Sequence, residues 1–219
     1  TKSSIDAKTI KVLNPKEVVF EGGRELELDA VSEVPRYYVC NAYGVCGIYS
    51  APGTAVKEAY DTSGIVTNDR GVTVWLKGNR VSRNQIMAIK EESVTEQKNS
   101  LAVCLDSILR HAGITRNTEY DLAQGKTATT ILSENMTGVQ VLDLSGCTLD
   151  AVLYYVNQDI PVLAILEDGE AVLVTGFNEF NVVIMEPATG KLYKKGMNDA
   201  TAWFAENGNH FITYMRTEN

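Results

Sequence analysis

Apolar residues recur at three- and four-residue steps through residues 99–114, NSLAVCLDSILRHAGI. Leu101, Cys104, Leu105, Ile108, Leu109 and Ala112 fall on one face at the helical period. Ser100 is the expected N-cap, because its hydroxyl can accept from the unpaired first-turn amides. Gly113 sits where a left-handed C-cap belongs. Further on, residues 119–123 and 127–135 read as helices, and 148–158 as a clear one, with Leu149, Val152, Leu153 and Val156 on its buried face. Thr148 is its expected cap, and Asp150 in the first turn suits the helix dipole. Residues 138–144, 161–166, 171–177, 182–185, 191–195 and 211–215 read as strands, with a helix over 198–204 capped by Asn198. The run 161–166 is almost continuously apolar, as a strand covered on both faces should be. Helices first and then an antiparallel meander with one helix in it predict an α+β layout.

Upstream, the pattern predicts a smaller α+β module. Strands at 37–40 and 45–49 flank the turn Ala42-Tyr43-Gly44, a helix covers 52–60 with Pro52 in its first turn, and strands at 64–67 and 72–76 bracket a turn at 68–71. The module closes near Arg83 and is close to the lower size limit for independent stability. Residues 1–35 read as an arm or edge hairpin, and the polar run 90–98 as a linker. The expected division is therefore 1–90 and 91–219. Tyr37, Tyr38, Tyr43 and Tyr49 suit packing on half-buried strands better than a ligand platform.

Composition narrows the partners. The chain carries 28 acidic against 20 basic side chains, a net charge of -8, which argues against nucleic acid or an anionic membrane. No apolar run approaches the length of a membrane span. The chain opens on Thr1 without a signal-peptide pattern, as a mature secreted form or a trimmed chain would. None of Cys40, Cys46, Cys104 and Cys147 has zinc-knuckle spacing, so no metal or other cofactor is expected. Cys40 and Cys46 flank the hairpin turn and either form a disulfide across it, implying an oxidising compartment, or stay as buried thiols. Glu167, Asp168 and Glu170 lack the ligand spacing of a calcium loop and fit a solvated hairpin tip.

The second unit resembles the papain-like cysteine peptidases related to the bacteriocin-processing, double-glycine leader peptidases. Leu109 through Gly113 and Ile114 match the end of that family's nucleophile helix. Pro161-Val162, Gly169 through Gly176-Phe177, and Val182 through Pro187 with Gly190 match its strands. The resemblance places the nucleophile at Ser100, the base at Glu170 and the orienting carboxylate at Glu186. The family's own chemistry needs a thiolate at a helix N-terminus, a histidine base and a carboxylate that orients it. Ser, Glu and Glu make a poor hydrolase, since a carboxylate of ordinary pKa is far too weak a base for a serine hydroxyl.

The first unit resembles a small extracytoplasmic domain of Gram-positive bacteria, through Tyr38-Val39, Gly44, Gly47-Ile48-Tyr49, Ala55-Val56, Ala59, Gly64-Ile65-Val66 and Val74-Trp75. Together the resemblances imply an extracellular or cell-envelope protein without catalysis, binding a peptide, a cell-wall fragment or a partner protein. Carboxylates in the cleft would favour a cationic or amine-bearing ligand. The alternative is an active secreted cysteine peptidase or amidase using Cys104, one turn along from Ser100. A third reading is a structural surface protein with no ligand in the cleft. His111 stands about 10 Å along the helix from Cys104, too far to serve it, and His210 begins the last strand, where the family does not place its base.

Overall fold

A computed structural model describes residues 34–78 and 99–217, together with the backbone of 10–14 and 17–20. The arm beyond its two strands, the closure near Arg83, the linker at 90–98 and the division near residue 90 lie outside the described residues. The two strands are β1 (Ile10–Asn14) and β2 (Glu17–Phe20), paired antiparallel.

The first unit holds β3 (Tyr37–Cys40), β4 (Cys46–Tyr49), α1 (Pro52–Thr62), β5 (Ile65–Asn68) and β6 (Thr73–Leu76). Its strands form an antiparallel sheet in the order β4-β3-β5-β6. Strand alternation divides that sheet. Tyr37, Val39, Val66 and Trp75 are buried with Ala55, Val56 and Ala59 of α1, whereas Ile48, Ile65 and Leu76 face outward. Tyr37 is 2% exposed and packs as expected, but Tyr43 is 90% exposed at the hairpin tip. Register pairs Cys40 with Cys46, and the two form a disulfide with Cα atoms 4.2 Å apart.

The second unit runs α2 (Ser100–His111), α3 (Glu119–Ala123), α4 (Ala128–Asn135), β7 (Val139–Asp143), α5 (Leu149–Val156), β8 (Val162–Ile165), β9 (Ala171–Phe177), β10 (Asn181–Glu186), β11 (Lys191–Gly196), α6 (Met197–Glu206) and β12 (His210–Arg216). Six strands form an antiparallel sheet in the order β11-β10-β9-β8-β12-β7. The fold is α+β, as the element order implied. Strand β9 buries all seven residues, because α2 and α5 both pack on it. The run at 161–166 becomes β8, an interior strand.

Two helix starts differ from the sequence reading. Asn99, not Ser100, caps α2, its Oδ1 accepting from the amides of Leu101 at 2.9 Å and Ala102 at 3.2 Å. Ser100 is therefore the first helical residue, and its hydroxyl is used elsewhere. Helix α6 begins one residue before Asn198, directly off the end of β11, with Gly196 as a cap that supplies no side chain. The Phe180 carbonyl takes the Met197 amide at 2.7 Å, doing part of what a side-chain cap would do. The other end of α2 agrees with expectation. Gly113 has φ 82°, and the amides of Gly113 and Ile114 reach back to the carbonyls of Arg110 and Leu109, which is a Schellman ending.

The two units share one continuous core, and side-chain hydrogen bonds cross between them. Gln140 on β7 accepts from Asn68 Nδ2 at 3.2 Å and donates to the Tyr37 hydroxyl at 2.9 Å. Trp75 Nε1 donates to the Ala151 carbonyl at 3.0 Å, and the Tyr155 hydroxyl to the Val74 carbonyl at 3.1 Å. Gly53 lets α1 approach the β7–α5 connection, since a Cβ there would stand 3.0 Å from the Ser145 carbonyl. Burial together with these cross-unit hydrogen bonds makes this contact more like a core than a loose domain interface.

Candidate functional site

The N-terminus of α2 lies against the start of β9. Ser100, half-buried, accepts a hydrogen bond through Oγ from the backbone amide of Ala171 at 3.0 Å. Ala171 directly follows Glu170, so the serine and the residue in the base position come together, although through backbone rather than side chain. The contact uses one lone pair of the hydroxyl and leaves its proton to donate outward.

Glu170 is exposed at the end of the β8–β9 hairpin. Its amide donates to Asp168 Oδ1 at 3.0 Å and its carbonyl accepts from Leu166, which closes the tip that Glu167, Asp168 and Glu170 share. No cluster of three or more His, Cys, Asp or Glu side chains suited to a metal ion occurs among the described residues. Glu186 ends β10 next to Met185, whose partner on β9 is Leu173. It therefore reaches the same end of the sheet as Glu170. It too is exposed, and its Oε2 accepts from Thr189 Oγ1 at 2.8 Å.

Cys104 lies one helical turn beneath Ser100 and is fully buried. Burial, and after it the charge of Glu170, push its thiol far above the ordinary cysteine range. Such a sulfur stays protonated at any physiological pH and is a weak nucleophile. Cys147, the other free thiol, is also buried, donates to the Gly53 carbonyl at 3.3 Å, and is pushed up to about 12 by burial first.

Neither histidine supplies a base at Ser100. His111 is at the far end of α2, about 16 Å along the axis by the helical rise, with Nε2 2.7 Å from the Asp159 carbonyl. His210 pairs in register with Ile165, which pairs with Ala171, so two strand spacings of about 10 Å separate it from the Ser100 contact. Its ring leans over Gly208, where a Cβ would lie 2.8 Å from Nε2.

The structure thus brings Ser100 and the Glu170 segment together and puts Glu186 at the same sheet end, while Cys104 is placed in the core. Asn99 as the cap was not expected from the sequence, although a small polar residue one position earlier was visible. The Ser100–Ala171 bond had no side-chain signal to find, because the donor is main chain.

No family model matches the chain, and no curated relative does. Among solved structures, it is similar to the crystal structure of a protein described as a C39-like peptidase from Bacillus anthracis, with a TM-score of 0.52 and 13% identity, covering 62% of this chain and 98% of that one. The likeness shows a shared α+β fold with that protein over the part of the chain it covers.

Proposed function

We propose that this chain is a cysteine-peptidase-like protein that binds rather than cuts, its ligand a peptide, a cell-wall fragment or a partner protein held near Ser100, Glu170 and Glu186. The observation that carries the reading is the state of the two candidate nucleophiles. The Ser100 hydroxyl is engaged by the Ala171 amide with no imidazole in reach, and Cys104 is buried as a neutral thiol. Hydrolysis by this route would need a base that titrates near the working pH.

Exposed carboxylates at Glu170 and Glu186, with Glu167 and Asp168 beside them, favour a cationic or amine-bearing ligand. The solvent-facing Cys40–Cys46 disulfide supports an oxidising, extracellular or cell-envelope setting, and the resemblance of the first unit makes a Gram-positive-type envelope the setting of choice.

The test is a lysine-rich peptide library followed by fluorescence anisotropy and mass spectrometry together. Saturable, salt-sensitive binding of intact peptides, weakened in Glu170→Gln and Glu186→Gln, supports the reading. Peptide turnover abolished in Cys104→Ala would replace it with the alternative, an active cysteine peptidase or amidase. Absence of binding to peptides and muropeptides alike would leave the chain a structural surface protein.

A further inference from the structure

Strand alternation gives the first unit's sheet a second face, turned away from α1. The buried face is already occupied. Tyr37, Val39, Val66 and Trp75 sit in the shared core, and Tyr37 and Trp75 bond across to Gln140 and Ala151. On the outer face, register lines up two rows of residues. Cys46 pairs with Cys40, Cys40 with Ile65 and Ile65 with Leu76. Beside that row, Ile48 pairs with Tyr38, Tyr38 with Thr67 and Thr67 with Thr73. Directly paired residues of antiparallel strands lie on one side of a sheet. The first row is therefore apolar from one edge strand to the other, the disulfide included, and Ile48 and Tyr38 extend it into the second. Ile48 is 64% exposed, Ile65 48% and Leu76 38%. A continuous apolar surface of this kind marks a contact face, unlike apolar residues scattered singly.

A segment of the same chain has the matching pattern. Strands β1 and β2 form a two-stranded ribbon whose register pairs Ile10 with Phe20 and Val12 with Val18. Four apolar positions thus share one side of the ribbon. A lone two-stranded ribbon is marginal in water and needs an apolar face packed on something to persist.

The tether decides between occupants. Residues 21–33 join Phe20 to Val34, just before β3. Fully extended, a stretch of that length spans roughly 45 Å, against about 14 Å across four strands. A segment tethered so closely meets the face at an effective concentration of about millimolar, above that of a second copy in dilute solution. We propose that the β1–β2 ribbon docks, by the side that carries Ile10, Val12, Val18 and Phe20, on the outer face of the first unit's sheet. The ribbon then forms a layer opposite α1, at the spacing of about 10 Å usual for sheets packed face to face. This docking is independent of the reading of the Ser100 site.

Photocrosslinking in the full chain tests it, with p-benzoylphenylalanine in place of Ile65. After irradiation, peptide mapping should place the adduct within residues 10–20 of the same chain. An adduct joining two chains assigns the face to a second copy, and one to another segment assigns it there. Either result, or no adduct at all, overturns the proposal.

Hydrogen exchange read by mass spectrometry supplies a second measurement that needs no bulky probe. Ile48→Asp combined with Ile65→Asp should speed exchange of the 10–20 amides about tenfold or more, the factor that burial of one large apolar side chain supplies. Tyr120→Asp, which changes an exposed residue on α3, should leave that exchange unaltered. Unchanged exchange in the double variant, or equal speeding by Tyr120→Asp, overturns the proposal. Circular dichroism of each variant separates a lost fold from a lost contact.

Discussion

Replacing Asn99 and Ser100 one at a time separates two roles that adjacent polar residues play at the start of α2. In Asn99→Ala, the amides of Leu101 and Ala102 lose the side-chain oxygen that accepts from them. Asn99 is exposed, so water takes over part of the work, and the expected cost is about 1 kcal/mol. For a chain of this size that corresponds to roughly 2–4 °C in melting temperature. Ser100→Ala leaves those two amides capped but removes the acceptor from the partly buried Ala171 amide. An unsatisfied buried donor costs about 1–3 kcal/mol, reduced where water can reach it. The melting temperatures of the two variants can therefore coincide, and amide hydrogen exchange read residue by residue distinguishes them. Asn99→Ala should speed exchange at Leu101 and Ala102 and spare Ala171. Ser100→Ala should speed it at Ala171 and spare the helix start. If Ser100→Ala exposes Leu101 and Ala102 instead, the serine is the cap after all, and its placement against β9 is wrong.

Two further outcomes follow from bonds away from the site. Reducing the exposed Cys40–Cys46 disulfide, or replacing both with serine, opens a loop of sequence separation 6 and should cost about 2 kcal/mol by the loop-entropy argument, read as a lower melting temperature. Asp121, almost buried, suffers a desolvation penalty that hydrogen bonds from Lys126 and Arg116 outweigh, so its carboxyl is held below the ordinary range. A depressed folded-state pKa contributes stability that is fully present above the unfolded-state value and is lost as pH falls through the folded one. Asp121→Asn should therefore flatten the acid limb of the stability–pH curve below about pH 4, where the ordinary Asp value lies. An unchanged limb would show that the cations contribute nothing there.

The sequence was most legible where a periodic pattern ended on a strong terminator. Pro52 opens α1 at its first position, Thr148 caps α5 through a bond to the Ala151 amide, and Gly113 ends α2. The bounds of α3, β3 and β9 also match the expected ranges residue for residue. It was least legible where the partner lies far away in the chain. Nothing near Gln140 announces bonds to Tyr37 and Asn68 across the two units, and nothing near Trp75 announces its bond to the Ala151 carbonyl. At the site, residue types could be matched to a family pattern, but burial could not be read from them. Cys104 and Ser100 share a helical face, and only packing tells that one is fully covered while the other meets β9 at the surface.

The proposal that this chain binds rather than cuts requires that it carry no reactive thiol. Brief treatment of the native protein with iodoacetamide, followed by intact-mass measurement and peptide mapping, tests it directly. Cys104 and Cys147, both buried with thiols pushed up, should remain unmodified until the chain is denatured, when both should label. Fast alkylation of Cys104 in the native protein, abolished in Cys104→Ala together with any peptide turnover, would contradict it.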